Sequence, residues 1–203
     1  MFYNTVEMRL ATNATHQAIL NAAERLFAER GFAAVKLHDI ATAVNMRHAS
    51  LYYYAPEGKE QLYVEVMERN FKHHRDGLTD AIIRAGDDLR SQMHAVAEWF
   101  ALQTSINLGQ IVRSDMPAIS LPHAERLTEL SLESLRMPIV SAIRRAQDQG
   151  QLDVRDVEFA AMGLVAFLQS VHNIPPRYAP APADRVKLAK AMADMMLDGW
   201  LKR

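Results

Sequence analysis

Arg47, His48, Ser50 and Tyr53 lie close together in the chain and carry the groups with which proteins read base edges in duplex DNA. A guanidinium grips guanine through two parallel hydrogen bonds, a hydroxyl serves several bases, and an aromatic ring covers a thymine methyl. Lys36, Tyr52 and Lys59 surround them and suit phosphate, a contact that fixes position without reading sequence. On a solvated helix face the same residues would do none of this, so the reading depends on the element that presents them.

That element is legible from spacing. Leu37, Ile40, Ala41 and Val44 form one apolar stripe on a short helix, leaving His38, Asp39 and Thr42 on its other side. Asn45 interrupts the pattern, and Asn is, after Gly, the residue that best tolerates the positive φ of a sharp turn just past a helix end. Met46 is placed to pack into the angle that follows. Apolar positions resume at Ala49, Leu51 and Tyr52, and the second helix is brief because Ala55 precedes Pro56. Helix, tight turn and short polar-faced helix make a helix-turn-helix, whose second helix lies in the major groove.

Upstream, Ile19, Leu20, Ala23, Leu26 and Phe27 keep the rhythm of an amphipathic helix, predicted over about Ala14 to Arg30. Thr12, Asn13 and Thr15 are its candidate N-caps and Gly31 its stop, and the residues before Thr12 read as a flexible arm. The stretch from Ile19 to Leu62 resembles the DNA-binding domain of the tetracycline-repressor (TetR) family. The resemblance rests on Ile-Leu-Asn-Ala-Ala-Glu-Arg-Leu-Phe-Ala-Glu-Arg-Gly-Phe at 19–32, Asp-Ile-Ala at 39–41, Leu-Tyr-Tyr at 51–53 and Lys-Glu-Gln-Leu at 59–62, in that order and spacing. The chain departs from the family pattern with Asn45 for the usual Gly, Arg47 for the usual Ser or Thr cap, Tyr54-Ala55 before the proline, and a loop lengthened by Glu57-Gly58.

Composition excludes other classes. The chain of 203 residues has no cysteine, which removes disulfide and thiolate chemistry. No apolar run approaches the roughly 20 residues of a membrane span, and the N-terminus lacks the pattern of a signal peptide, so the expected location is cytoplasmic. His73 and His74 point about 100° apart on a helix and cannot chelate as an i, i+4 pair, while His94, His123 and His172 fall on separate predicted helices. No metal site, cofactor or catalytic constellation is expected. Charge does not advertise a nucleic-acid binder: through Lys59, the basic Arg9, Arg25, Arg30, Lys36, Arg47 and Lys59 face the acidic Glu7, Glu24, Glu29, Asp39 and Glu57. Non-specific DNA affinity is therefore modest, and specific binding leans on two copies reading a palindrome.

The remainder predicts helices over about Lys59–Ala85, Leu89–Asn107, Pro122–Gln149 with Pro138 inside, Val157–Asn173 and Ala183–Leu201, with a short helix over Gln110–Asp115. The fold class is all-α, with a three-helix helix-turn-helix domain over residues 1–58 and a larger helical ligand-binding and dimerisation domain over 59–203. Candidate pocket linings are Met67, Phe71, Met93, Trp99, Phe100, Gln103, Met116, Leu135 and Phe167. The last two helices carry more apolar residues than one buried stripe needs, so Phe159, Met162, Phe167, Val171, Met192, Met196 and Trp200 are candidates for a two-fold homodimer interface. The resemblance implies the same use of these helices. It further implies a transcriptional regulator, most simply a repressor released from a palindromic operator when a small-molecule inducer binds the larger domain. The residues alone also allow a helical ligand-binding module or enzyme in which the helix-turn-helix is only a packing element.

Overall fold

A computed structural model describes residues 2–103 and 111–200, with the side chains of 2–12, Val112 and Trp200 outside that description. Among the described residues there is no strand. The helices are α1 (Phe2–Ala34), α2 (Leu37–Ala43), α3 (His48–Leu51), α4 (Lys59–Arg84), α5 (Leu89–Leu102), α6 (Leu121–Asp148), α7 (Val157–Gln169) and α8 (Pro182–Trp200). A π-helical turn at Ile111–Asp115 and a 3-10 turn at Met116–Ala118 precede α6. The expected end of α5 near Asn107 falls outside the described residues.

The chain divides into two compact units, one of residues 1–70 with 107–128 and the other of 71–106 with 129–203. In the first unit, α1 buries Ile19, Ala23, Leu26 and Phe27 together with Ile40 and Ala41 of α2 and Leu51 of α3, the stripes that sequence spacing marks. The helix does not begin at the anticipated caps. It runs back to Phe2, so the segment read as a flexible arm is helical, and Thr12, Asn13 and Thr15 lie inside it. Glu, Met, Leu and Ala on either side are strong helix formers, and their summed preference overrides capping residues at isolated positions. Gly31, at φ 75° and ψ 163°, breaks the helical path near its other end, a conformation that strongly favours glycine.

In the second unit, α5 packs on α8 and α7, with Met93, Val96 and Ala97 buried opposite Ala189, Ala193 and Leu197. Small alanines on both sides let the helices approach, and charged side chains tie the flanks. Arg90 pairs with Asp194 and Asp198, His94 reaches Asp194 at 2.9 Å, and Lys190 reaches Glu98 at 2.7 Å. The Gly86 turn (φ 79°) and the Asp88 cap, whose carboxylate accepts the Ser91 N–H at 2.8 Å, start α5 as the sequence indicates.

One locus in this unit joins packing to protonation. Trp99 lies so close over Gly77 that a Cβ built there would fall 1.9 Å from the indole. Its Nε1–H donates to Nδ1 of the buried His74 at 3.2 Å, and the His74 ring stacks against Phe100. Accepting that bond requires neutral imidazole at Nδ1. Burial, with a smaller contribution from neighbouring His73, pushes the His74 pKa down to about 4 from 6.5. Gly77→Ala is expected to destabilise the protein by roughly 1–3 kcal/mol through overpacking, seen as a lower urea midpoint. Because the folded-state pKa is depressed, the stabilisation from His74 is complete above pH 6.5 and is lost as pH falls through about 4. The loss is on the order of 3 kcal/mol. His74→Gln keeps an acceptor that does not titrate, so urea unfolding at a series of pH values should show a shallower acid-side decline than in the wild type.

Candidate nucleic-acid interface

The turn between α2 and α3 is built from backbone bonds. Asn45 has φ 55°, its N–H donates to the Thr42 carbonyl at 3.1 Å, and the Met46 N–H donates to the Ala41 carbonyl at 2.9 Å. This is the Schellman closure of a helix C-terminus, with Asn in the place most often held by Gly. At the other end of α2, the Lys36 N–H donates to the Asp39 carboxylate at 2.9 Å, and the Lys36 residue, whose ammonium has no acceptor with which to cap the helix, is exposed.

α3 is a single turn. Arg47 stands at its N-cap position with extended backbone (φ −68°, ψ 137°) and makes no side-chain cap bond, which leaves its guanidinium exposed. Leu51 and Ala55 are fully buried and anchor the turn, with the Ala55 N–H donating to the Leu51 carbonyl at 2.9 Å. Arg47, His48, Ser50 and Tyr53 are all exposed, Tyr53 by 76%. The structure thus brings the four expected base readers onto one exposed turn.

Two expectations need correction. Ala49 and Tyr52 are not part of the apolar set: both are exposed, because a one-turn helix offers a single buried edge and Leu51 with Ala55 fill it. The Tyr52 ring instead meets His48 edge-on at 5.4 Å, and His48 lies 6.1 Å from His38 of α2, giving an exposed aromatic row. Lys59 is the second correction. Its ammonium donates to the Phe32 carbonyl at 2.8 Å and stands 4.0 Å over the Phe32 ring, and burial lowers its pKa against the opposing pull of Asp115. It therefore braces the domain rather than facing a phosphate. Sequence spacing could not show this, because the partner lies 27 positions away.

Asp115 is the residue that sequence reasoning missed. It is buried, accepts the Phe32 N–H at 3.2 Å through Oδ1, and accepts the Tyr63 hydroxyl at 3.1 Å through Oδ2. Burial and this carboxylate push the Tyr63 phenol pKa up. Its only sequence signal was an acidic residue in a short helical segment, which reads as solvent-facing.

The other expected sites are distributed. Met67 and Met116 lie in the first unit, whereas Phe71, Met93, Trp99, Phe100, Gln103, Leu135 and Phe167 lie in the second. A cavity of about 350 Å3 in the second unit is lined by none of these residues. Of the interface candidates, Phe159 and Met162 are exposed and Phe167 and Met196 half-buried. Val171 and Met192 are enclosed within their own unit and offer no side-chain surface to a second copy. The Trp200 side chain lies outside the described residues. Among the described residues no cluster of three or more metal-ligating side chains occurs.

Residues 19–66 match the family described as bacterial regulatory proteins, tetR family. The chain is 36% identical over 70 residues to the biofilm operon icaADBC HTH-type negative transcriptional regulator IcaR of Staphylococcus epidermidis. Its segment 19–66 is the DNA-binding region of the TetR family. The match to IcaR covers 34% of this chain and 35% of that protein, in both cases about a third of the length. Solved regulators share the fold over nearly the whole chain. A transcriptional regulator from Saccharomonospora viridis, solved with choline, superposes with a TM-score of 0.72 at 21% identity, covering 94% of this chain and 100% of that one. SmeT of Stenotrophomonas maltophilia, solved with triclosan, gives 0.68 at 23% identity, covering 93% and 92%. Asp115→Ala is expected to cost about 3 kcal/mol by leaving the Phe32 N–H and the Tyr63 hydroxyl without their charged acceptor, measured by urea unfolding.

Proposed function

We propose that this protein is a sequence-specific DNA-binding transcriptional regulator of the TetR family, and not an enzyme. In this reading it is a repressor that holds a palindromic operator as a homodimer and releases it when a small molecule binds the second domain. The observation that carries the DNA reading is the exposed turn formed by Arg47, His48, Ser50 and Tyr53 on a helix anchored by Leu51 and Ala55. Lys36 and Tyr52 at its margins supply phosphate contacts. Residues 1–58 form the DNA-binding domain and residues 59–203 the ligand-binding and dimerisation domain.

Exposed Phe159 and Met162 on α7 and exposed Met195 on α8 support pairing of these helices across a two-fold axis, which would place two α3 turns on successive major-groove faces. IcaR is named as a negative regulator, and complexes with choline and triclosan among structural relatives support a small-molecule effector here. α4 runs unbroken from Lys59 to Arg84, so an effector held against its later turns acts on the same helix whose first residue braces Phe32. By linkage, the effector must bind the DNA-free arrangement more tightly, and DNA must weaken effector binding by the same factor.

Selection of bound sequences from random duplex DNA should recover a palindrome. On that site Arg47→Ala should weaken binding by roughly 1–3 kcal/mol and relax preference at one base pair in each half. Failure to recover any sequence, or unchanged affinity and preference in the variant, would remove α3 from the reading role.

A further inference from the structure

We infer that the cavity in the second unit is a binding site for a small amphipathic carboxylate, with Arg145 as its anion contact. This inference rests on the regulator reading only for the consequence of binding, not for the site itself. The cavity, about 350 Å3, lies between two helical stripes. Arg75, Thr79, Ile82 and Ile83 recur at i, i+4, i+7 and i+8 on α4. Glu133, Met137, Ser141 and Arg145 recur every fourth residue on α6, with Pro138 beside Met137. Its size falls within the range of pockets that enclose small ligands.

The lining is divided by chemistry. Ile82, Ile83, Met137 and Pro138 make its apolar body, and Ile83 remains 69% exposed although it has a large aliphatic side chain. Pro138 has no N–H to give the Ser134 carbonyl one turn earlier, so this wall of α6 lacks one helical hydrogen bond. Arg145 makes no ion pair among the described residues, whereas the adjacent Arg144 is held by Glu158 at 2.6 Å. Ser141 lies one turn before Arg145 on the same face and offers a hydroxyl. Glu133, the acidic residue of the lining, is twelve positions from Arg145, about 18 Å along a helix, too far to neutralise it. Among the described residues the Arg75 guanidinium pairs with its neighbour Asp76, at 3.5 Å.

A guanidinium without a carboxylate partner, next to a hydroxyl and an apolar trough, fits a carboxylate with a short aliphatic body. A cation of the same shape meets repulsion from Arg145, and a neutral alcohol forgoes the charge-assisted bond.

The test is calorimetric titration of the full-length protein with octanoate, octanol and octylammonium, alongside Arg145→Gln and Ile83→Asp proteins. Both substitutions are at exposed positions, and thermal melts check that they fold. Expected are saturable binding of octanoate at one site per chain, at least tenfold weaker binding in each variant, and no saturable binding of octylammonium. Absence of saturable octanoate binding, equal binding of the three probes, or unchanged octanoate affinity in Arg145→Gln would overturn the inference. Gel shifts on the selected operator separate this from the regulator reading. DNA bound by a protein that ignores octanoate sinks the carboxylate site alone; octanoate bound by a protein that binds no DNA sequence sinks the regulator alone.

Discussion

The first unit turns on the backbone of one residue, Phe32. Its N–H is held by the Asp115 carboxylate and its C=O by the Lys59 ammonium, so the two peptide groups flanking one residue are gripped by opposite charges. The position matters because Gly31 has just broken the helical path of α1, and a chain leaving a positive-φ glycine has no helical ladder to fix its direction. The two side chains replace that ladder. Phe32 is also packed against Phe27 and Tyr63, and the Tyr63 hydroxyl closes the set by donating to Asp115. From this fixed point the chain has only a few residues before α2 begins, and the orientation of α2 sets that of α3.

Such an arrangement stands on a balance of costs. A buried carboxylate is expensive unless it is paired and hydrogen-bonded, and here it receives two hydrogen bonds and lies near an ammonium. Lys59 in turn gives up hydration for the Phe32 carbonyl and the face of its ring. The set belongs to three segments distant in sequence, those around Phe32, at the start of α4 and in the π-helical turn. A cluster that joins distant segments is a tertiary constraint rather than a local one.

This distinction explains what the sequence made legible. Local rules carried the helix ends at Gly31 and Asn45 and the buried stripes of α1 and α2, because each depends on neighbours within a turn or two. The exposed Arg47 followed from its place outside the apolar set, also a local fact. By contrast, Lys59 has the charge and placement of a phosphate contact, and nothing nearby reveals a carbonyl 27 residues upstream. Asp115 is hidden for the same reason. Tyr52 was misassigned because a four-residue helix is too short for a period to separate its faces. Pocket residues were the hardest, since a cavity is the space that packing leaves over, and apolar residues such as Met93, Phe100 and Leu135 are spent in filling the core.

The loss of Lys59 from the DNA-facing set sharpens a tension in the charge pattern. The region through residue 59 has only six basic residues against five acidic ones, and one of the six is turned inward. Of the rest, Arg9, Arg25 and Arg30 belong to α1 rather than to the helix-turn-helix, which leaves Lys36 and Arg47 as the lysine and arginine of the α2–α3 region. Few phosphate contacts mean few released counterions, hence a shallow dependence of affinity on salt and weak holding of arbitrary DNA. A regulator with that surface gains little by sliding on charge and must obtain its selectivity from fit. The exposed His38, His48, Tyr52 and Tyr53 are suited to this, because rings and imidazoles supply contact area and directed hydrogen bonds without bulk attraction. On the proposed reading the Phe32 clamp has a functional reason: an interface that works by fit requires its short recognition turn to be held in one place.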